Sequence, residues 1–346
     1  AATTEAGYFH SANRGKQSVC IDIAQARGQQ LVRDLVVHCD VFIENFKVGG
    51  LKKYALDYAS LESVNPKLVY CSITGFGQDG PYAQRAGYDF MIQAMGGMMS
   101  ITGEADGEPQ KTGVAIADIL TGLYSANAIQ SALIHQLKTG QGQYIDMALL
   151  DVQVAALANQ AMNYLAAGEN PRRYGNAHPN IVPYQAFQTS DGFIILAVGN
   201  DAQFERFCEL AGKPELAADE RFRKNSDRVR NRDLLLPSVV EVMLAKSSAD
   251  WLEQLNSRGI PCGPINNIDQ VFDDPQVHHR GLQLQLDHAL AGTVPSVANP
   301  IRLSQTPIEY QLAPPLLGEH TDSVLARLLE LDNDDLHELR GQRIIA

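Results

Sequence analysis

Two aspartates, Asp89 in AGYDFMIQAMGG and Asp118 in GVAIADILTG, stand where apolar helical stretches begin, among glycines and small residues. One use for a carboxylate there is structural: it can accept the free N–H groups of a first helical turn. The other is chemical, because those donors and the helix N-terminus would keep the group ionised at neutral pH and able to attack an activated acyl carbon. At Asp118 the two uses are compatible. Gly75, Gly77 and Gly80 provide turn conformations or let the backbone approach a ligand closely.

Other signatures are missing. There is no G-x-G-x-x-G opening a helix, no Walker loop, no G-x-S-x-G elbow and no H-E-x-x-H. The neighbours His278 and His279 would point opposite ways in either regular structure, so they read as a solvated loop and no metal is expected.

The elements that must position the aspartates can be read from periodicity. Residues 17–23 and 40–46 are β-branched and apolar, and flank a helical pattern of Leu31, Leu35 and Val36 entered after Gly28. This predicts a βαβ unit and hence a parallel sheet. Another strand is expected within 66–77, after a short helix around Ser60 to Val64. Residues 118–137 are apolar nearly all round, which predicts a central helix packed on several sides. A second long helix is expected over 143–167, ending at Gly168 and the Pro171–Arg173 break. A hairpin around Asp191-Gly192 then opens a smaller α+β domain, mostly helical from 202 to 258, and a last helix spans about 320–340. The expected domains are a large one over 1–170, a small one over 175–280, and a return to the large one over 281–346.

The chain has 346 residues and is 45% hydrophobic, enough for two domains. A formal charge of -12, from 40 acidic and 28 basic residues, argues against nucleic acid or an anionic membrane as partner. Five widely spaced cysteines are expected to be thiols in a cytosolic-type compartment. No apolar run approaches the roughly 20 residues that span a bilayer, and a soluble cytoplasmic protein is expected.

Taken in order, VFIENFKVGGL, NPKLVYCSITGFGQDGPYAQRAGYD, QAMGG, DILTG, KTGQGQYIDMALLD, RYGNAHPNIVPYQAFQTSDGFI and PPLLGEHT resemble the class III CoA-transferase family, from about Tyr8 to His320. The resemblance implies an α/β fold with a Rossmann-like large domain, an inserted smaller α+β domain and an interlocked homodimer. It implies no metal and no cofactor beyond coenzyme A as substrate, with acyl-CoA and carboxylic acids as partners. It places the nucleophile at Asp118. It places CoA contacts at Ile21, Asp22, Ile23 and Ala24, at Asn45, Phe46 and Lys47, at Lys53, and at Ala86, Gly87, Tyr88 and Asp89. Some relatives carry lysine where this chain has Ala24 and Ala86, and Arg85 is expected to replace one of them. A mobile loop that excludes water maps to 176–182, where His178, Pro179 and Asn180 stand in place of glycines. The family's first βαβ segment, about 30 residues or more, would lie upstream of Tyr8; such a segment is expected to precede this sequence and to be needed for activity.

Two other readings compete. The same fold hosts α-methylacyl-CoA racemases, which use a histidine and an aspartate in G-H-D-x-N-Y. Here the stretch reads Gly87-Tyr88-Asp89-Phe90-Met91, so the second base is missing. An inactive CoA-binding relative would not need Asp118. Within the transferases, IVPYQAFQTSDG, CSITGFGQ and QRAGYD look most like the branch using succinyl-CoA and glutarate-type dicarboxylates. A distal carboxylate needs a cation, with Arg85, Arg173 and His178 as candidates.

Overall fold

In a computed structural model describing residues 5–346, the first long helix is Ala26–Val36 (α1). Its buried face joins Leu31 to Leu325, Leu336, Leu339, Ile344 and Ile345 from the end of the chain. Val41–Glu44 (β1), Val69–Thr74 (β2) and Gln143–Ala148 (β3) pair in parallel in the order β1-β2-β3, with Val41 opposite Val69 and Val69 opposite Gln143. The middle strand is buried from Val69 through Ser72, as an inner strand of a covered parallel sheet must be. Leu51, Leu56, Leu61, Leu68 and Tyr70 fill the core beside it with Val36.

Between β2 and β3 run a short helix, Asp89–Met95 (α2), and the 24-residue helix Ile116–Thr139 (α3). Gly140, at φ 75°, ends α3 and donates its N–H to the Gln136 carbonyl at 2.7 Å. The helix Leu149–Ala155 (α4) follows β3 directly.

The chain divides into two units. One contains the chain up to Gly96, Ala115–Ala156 and Gln270–Ala346; the other contains Gly97–Val114 and Leu157–Asp269. Boundaries read from sequence fell near 170–175 and 280. Residues 97–114 join the second unit because Gly175 donates to the Gly103 carbonyl, and Arg173 to the carbonyls of Glu104 and Gly107. The second unit has an antiparallel sheet of Tyr184–Gln188 (β4), Phe193–Ala197 (β5) and Cys262–Pro264 (β6), order β4-β5-β6. The expected hairpin at Asp191-Gly192 joins β4 to β5. Phe187, Leu196, Phe204, Phe207 and Trp251 are core residues there.

Four expectations change. Residues 17–23 form no strand of the sheet: Ile21 makes one isolated antiparallel bridge to Ile345. Their N–H groups are taken instead by the C-terminal part of the chain, Cys20 donating to Thr321 Oγ1 and Asp22 to the Ile344 carbonyl. Residues 143–167 are not one helix. Gly142 lies so close to β2 that a Cβ there would be 2.0 Å from the Leu68 oxygen, and this contact starts β3. The helices Leu149–Ala155 and Ala158–Ala167 come only afterwards. The final helix is two, Thr321–Leu329 and Asn333–Gly341, divided where Glu330 takes φ 57° and Asp332 caps the second. Finally, α3 buries Ala117, Thr121, Ser125, Ala132 and Gln136, whereas Ile119, Leu123, Ile134 and Leu137 are exposed within this chain. Its small face, not its apolar one, packs on the sheet domain. Among the described residues, no helix is long and apolar enough to cross a membrane, and the five cysteines are free thiols.

Candidate active site

At the C-terminal ends of β1 and β2, where ligands bind in open parallel sheets, lies a cavity of about 580 Å³. That is in the range of small-molecule sites. Its wall is made by Ile43 to Val48 at and beyond the end of β1, Ile73 to Gly75 at the end of β2, the segment Ala83 to Asp89, and Asp118, Thr121, Gly122 and Leu149. Of the residues singled out in the sequence, Asn45, Phe46, Lys47, Arg85, Ala86, Gly87, Tyr88, Asp89 and Asp118 therefore meet around one space. Ile21, Asp22, Ile23, Ala24 and Lys53 are not in that wall. Asp22 serves its own turn, accepting from the Ala24 N–H at 2.9 Å and from Gln25 at 3.1 Å, and these bonds hold its carboxyl below the usual range. Lys53 lies 4.6 Å from the centre of the Tyr54 ring.

The glycines before the cavity divide the two roles expected of them. Gly77 and Gly80 take positive φ and turn the chain, Gly77 also donating to Thr74 Oγ1. Gly75 permits close approach, but of protein to protein. A Cβ on Gly75 would lie 2.5 Å from Gly87 Cα, and one on Gly87 2.3 Å from Gly75 Cα. The segment carrying Tyr88 and Asp89 is thus laid directly on the end of β2.

Asp118 is exposed to solvent and sits in the first turn of α3, but it is not the N-cap. That position is Ala115, which has no capping side chain. Asp89 supplies the acceptor: its Oδ1 takes the Ala117 N–H at 2.8 Å and is 3.4 Å from the Asp118 nitrogen. The expected stabilisation of the ionised Asp118 by capping donors is replaced by the opposite effect. Partial burial in the wall, and secondarily the charge of Asp89, push the Asp118 carboxyl up.

Sequence patterns missed the groups that hold these residues. Gln93, one turn after Asp89, donates to Asp89 Oδ2 at 2.7 Å, an i,i+4 pair that was visible in the sequence. Glu44 accepts from the Phe46 N–H at 2.7 Å and from Ser72 Oγ, which also receives Gln78 Nε2; Asp146 accepts the Gln78 N–H. This polar network spans the ends of all three strands, and no spacing in the chain reveals it. Arg85 lies over the rings of Tyr82 and Phe76, at 4.6 and 5.5 Å, and makes no ion pair among the described residues.

The loop residues His178, Pro179 and Asn180 belong to the second unit, where they are firmly tied. Arg232 donates to the Pro179 carbonyl at 2.7 Å and to that of His178 at 3.2 Å, while its guanidinium covers Tyr174. Asn225 donates to the Asn180 carbonyl and accepts the Val182 N–H. His178 Nδ1 accepts the Asn180 N–H; burial, then the Arg232 charge, holds the ring below its usual pKa and favours the neutral form. Arg173 spends its guanidinium on the carbonyls of Glu104 and Gly107. Among the described residues no cluster of three or more His, Cys, Asp or Glu is placed to hold a metal.

A family model described as CoA-transferase family III matches residues 1–321. Succinate-glutarate CoA-transferase of Agrobacterium fabrum is 54% identical over 323 residues, 93% of this chain and 81% of that protein. Succinyl-CoA:glutarate CoA-transferase of Homo sapiens is 40% identical over 342 residues, 99% of this chain and 78% of that protein. A crystal structure of a CAIB/BAIF family protein from Brucella suis, 54% identical, superposes with a TM-score of 0.82 over 94% of this chain and 84% of its own.

Proposed function

The chain belongs to CoA-transferase family III and is an enzyme of that class, and on that premise we propose that it moves CoA from succinyl-CoA to a glutarate-type dicarboxylate through Asp118. The observation that carries the assignment of Asp118 is its placement: an exposed carboxylate in the wall of the cavity at the strand ends, on the first turn of a long helix. The choice of acids follows the relatives named for succinate, succinyl-CoA and glutarate.

In the proposed reaction the Asp118 carboxylate attacks the thioester carbonyl carbon, the C–S bond breaks, and CoA leaves as thiolate from a mixed anhydride. The thiolate then attacks the Asp118 carbonyl, the donor acid leaves as carboxylate, and an aspartyl-CoA thioester remains. The acceptor carboxylate attacks that thioester, its C–S bond breaks, and CoA thiolate leaves from a second mixed anhydride; the thiolate then attacks the acceptor's acyl carbon and the Asp118 carboxylate departs restored. A raised pKa suits this role, since a more basic carboxylate is the stronger nucleophile once ionised. Arg85, which lines the same cavity and makes no ion pair, is the proposed cation for a distal carboxylate. Tyr88 occupies the place where a racemase would need its histidine base.

The three parallel strands support reading the first unit as the Rossmann-like domain, and the exposed Ile119, Leu123, Ile134 and Leu137 of α3 support a homodimer. Leu137 alone is 83% exposed in the single chain, and a row of such residues marks an interaction face.

The test is incubation with succinyl-CoA and a panel of carboxylic acids, with mass spectrometry of the CoA products and of Asp118-containing peptides. Glutaryl-CoA and a hydroxylamine-trapped Asp118 are expected. Incorporation of α-deuterium into a 2-methylacyl-CoA in deuterated water, with no acceptor acid present, would instead establish the racemase.

A further inference from the structure

The helix that carries Asp118 begins without a cap of its own. Ala115, at the N-cap position, offers no side-chain acceptor. A helix start of this kind needs partners for its free N–H groups, and here a separate element provides one. Asp89, in the first turn of α2, directs Oδ1 to the Ala117 N–H at 2.8 Å and lies 3.4 Å from the Asp118 nitrogen. Its other oxygen is held by Gln93 Nε2 at 2.7 Å, and Gln93 is fully buried. The backbone just before Asp89 is laid against the end of β2, where Gly87 meets Gly75 with no room for a Cβ on either.

We propose that Asp89 is a positioning residue for Asp118: by capping α3 from outside, it sets where the first turn lies and hence the direction in which the nucleophile meets the thioester. This deepens the reading of Asp118 as nucleophile and rests on it. A serine or asparagine at position 115 would serve helix stability equally well. The arrangement found instead places one carboxylate beside another. Its electrostatic consequence is that Asp89 adds to the upward push on the Asp118 carboxyl.

Other titratable groups are close by. Tyr70 and Cys71 lie on β2, Tyr144 and Asp146 on β3, and Asp151 on α4, the elements packed against α3. Glu44, Lys47 and Arg85 share the cavity. The charge that acts on Asp118 is that of Asp89.

The test compares Asp89→Ala, Asp89→Asn and Asp118→Asn with wild type, using succinyl-CoA and glutarate, and follows amide exchange at Ala117 and Asp118. Asp89→Ala is expected to lower kcat about 100-fold while KM for succinyl-CoA changes by less than about threefold, as for a displaced reacting group. Amide exchange at both positions should accelerate. Asp89→Asn keeps an acceptor and loses the charge, so exchange should stay near wild type and kcat should recover to within about 10-fold. The acidic limb of its pH profile should move to lower pH. Equal losses in both variants with an unmoved acidic limb, or unchanged exchange in Asp89→Ala, would overturn the proposal. Full turnover by Asp118→Asn would overturn the nucleophile reading and this proposal with it; an inactive Asp118→Asn beside an unaffected Asp89→Ala would overturn the positioning role alone.

Discussion

The start of α3 in the first unit and the loop 176–182 in the second solve opposite problems. At α3 the unsatisfied groups are N–H donors, and the side chain that takes them is an acid, Asp89. In the loop they are chiefly carbonyl acceptors, and two arginines take most of them, with Asn225 on that of Asn180. Arg232 binds the carbonyls of His178 and Pro179; Arg228, fully buried, binds those of Val182, Phe222 and Arg223, pairs with Asp201, and stacks over Phe204. In each case the chain's irregular backbone is fixed by an ion of complementary charge, as burial of unpaired polar backbone is costly. The difference is in what else the ion touches. The arginines face carbonyls and rings; Arg228 also meets the opposite charge of Asp201, and Arg232 adds to the burial that pushes the His178 ring's pKa down. Asp89 faces a second carboxylate, so the same device that orders the backbone also alters the chemistry of a neighbour.

The largest expected effect separates chemistry from order. Asp118→Ala should reduce turnover by about 10⁴-fold or more, as loss of a covalent nucleophile does, while circular dichroism remains that of wild type. Substantial residual turnover would remove Asp118 from the reaction. In the second unit, Arg228→Leu should cost about 3 kcal/mol or more of stability, because it leaves three carbonyls without their donor. Urea unfolding of the variant would measure this, and an unchanged midpoint would show that water replaces the arginine freely.

Gly87→Ala tests the scaffold beneath Asp89. Its Cβ would collide with backbone at 2.3 Å, so a loss of about 1–3 kcal/mol is expected, together with lower kcat if Asp89 moves. Arg232→Met should loosen the loop at a cost of about 1 kcal/mol, read as faster amide exchange in the segments that contain Ala177, His178 and Asn180. Exchange that rises elsewhere but not there would contradict the clamp.

The smallest effect has an informative sign. A carboxyl raised by folding is destabilising when ionised; the penalty is fully present above its folded pKa and fades as pH falls toward the unfolded value near 3.8. Asp118→Asn should therefore be inactive yet melt slightly higher than wild type at pH 7, with the gain vanishing in acid. In wild type, activity should be lost, as pH falls, at a higher pH than for an unperturbed aspartate. A lower Tm for Asp118→Asn at pH 7 would mean that the charge is stabilised by groups the structure does not place there.

Much of the candidate cavity's lining was legible in the chain because it comes in short local segments. Asp89 and Asp118 stand at helix starts that composition marks, the resemblance adds Asn45 to Lys47 and Arg85 to Tyr88, and all of them reach one cavity. Ile21 to Ala24 and Lys53 do not line it, although their types suit a CoA contact equally well. Strand β3 was hidden because Tyr144, Ile145 and Met147 fit a helical stretch as well as a pleated one, and only the contact of Gly142 with Leu68 decides. Residues 17–23 look like a strand by type, but pairing is a property of neighbours, and their neighbour is the end of the chain.

The sequence by itself determined which residue types are on offer, among them an aspartate at a helix start, and an order of motifs that resembles one family. Only the tertiary structure decided which donors and charges each aspartate meets. Residue type sets a group's chemistry, whereas its pKa and aim depend on atoms brought near by folding. Positions 89 and 118 are 29 residues apart in the chain and share one helix end in space.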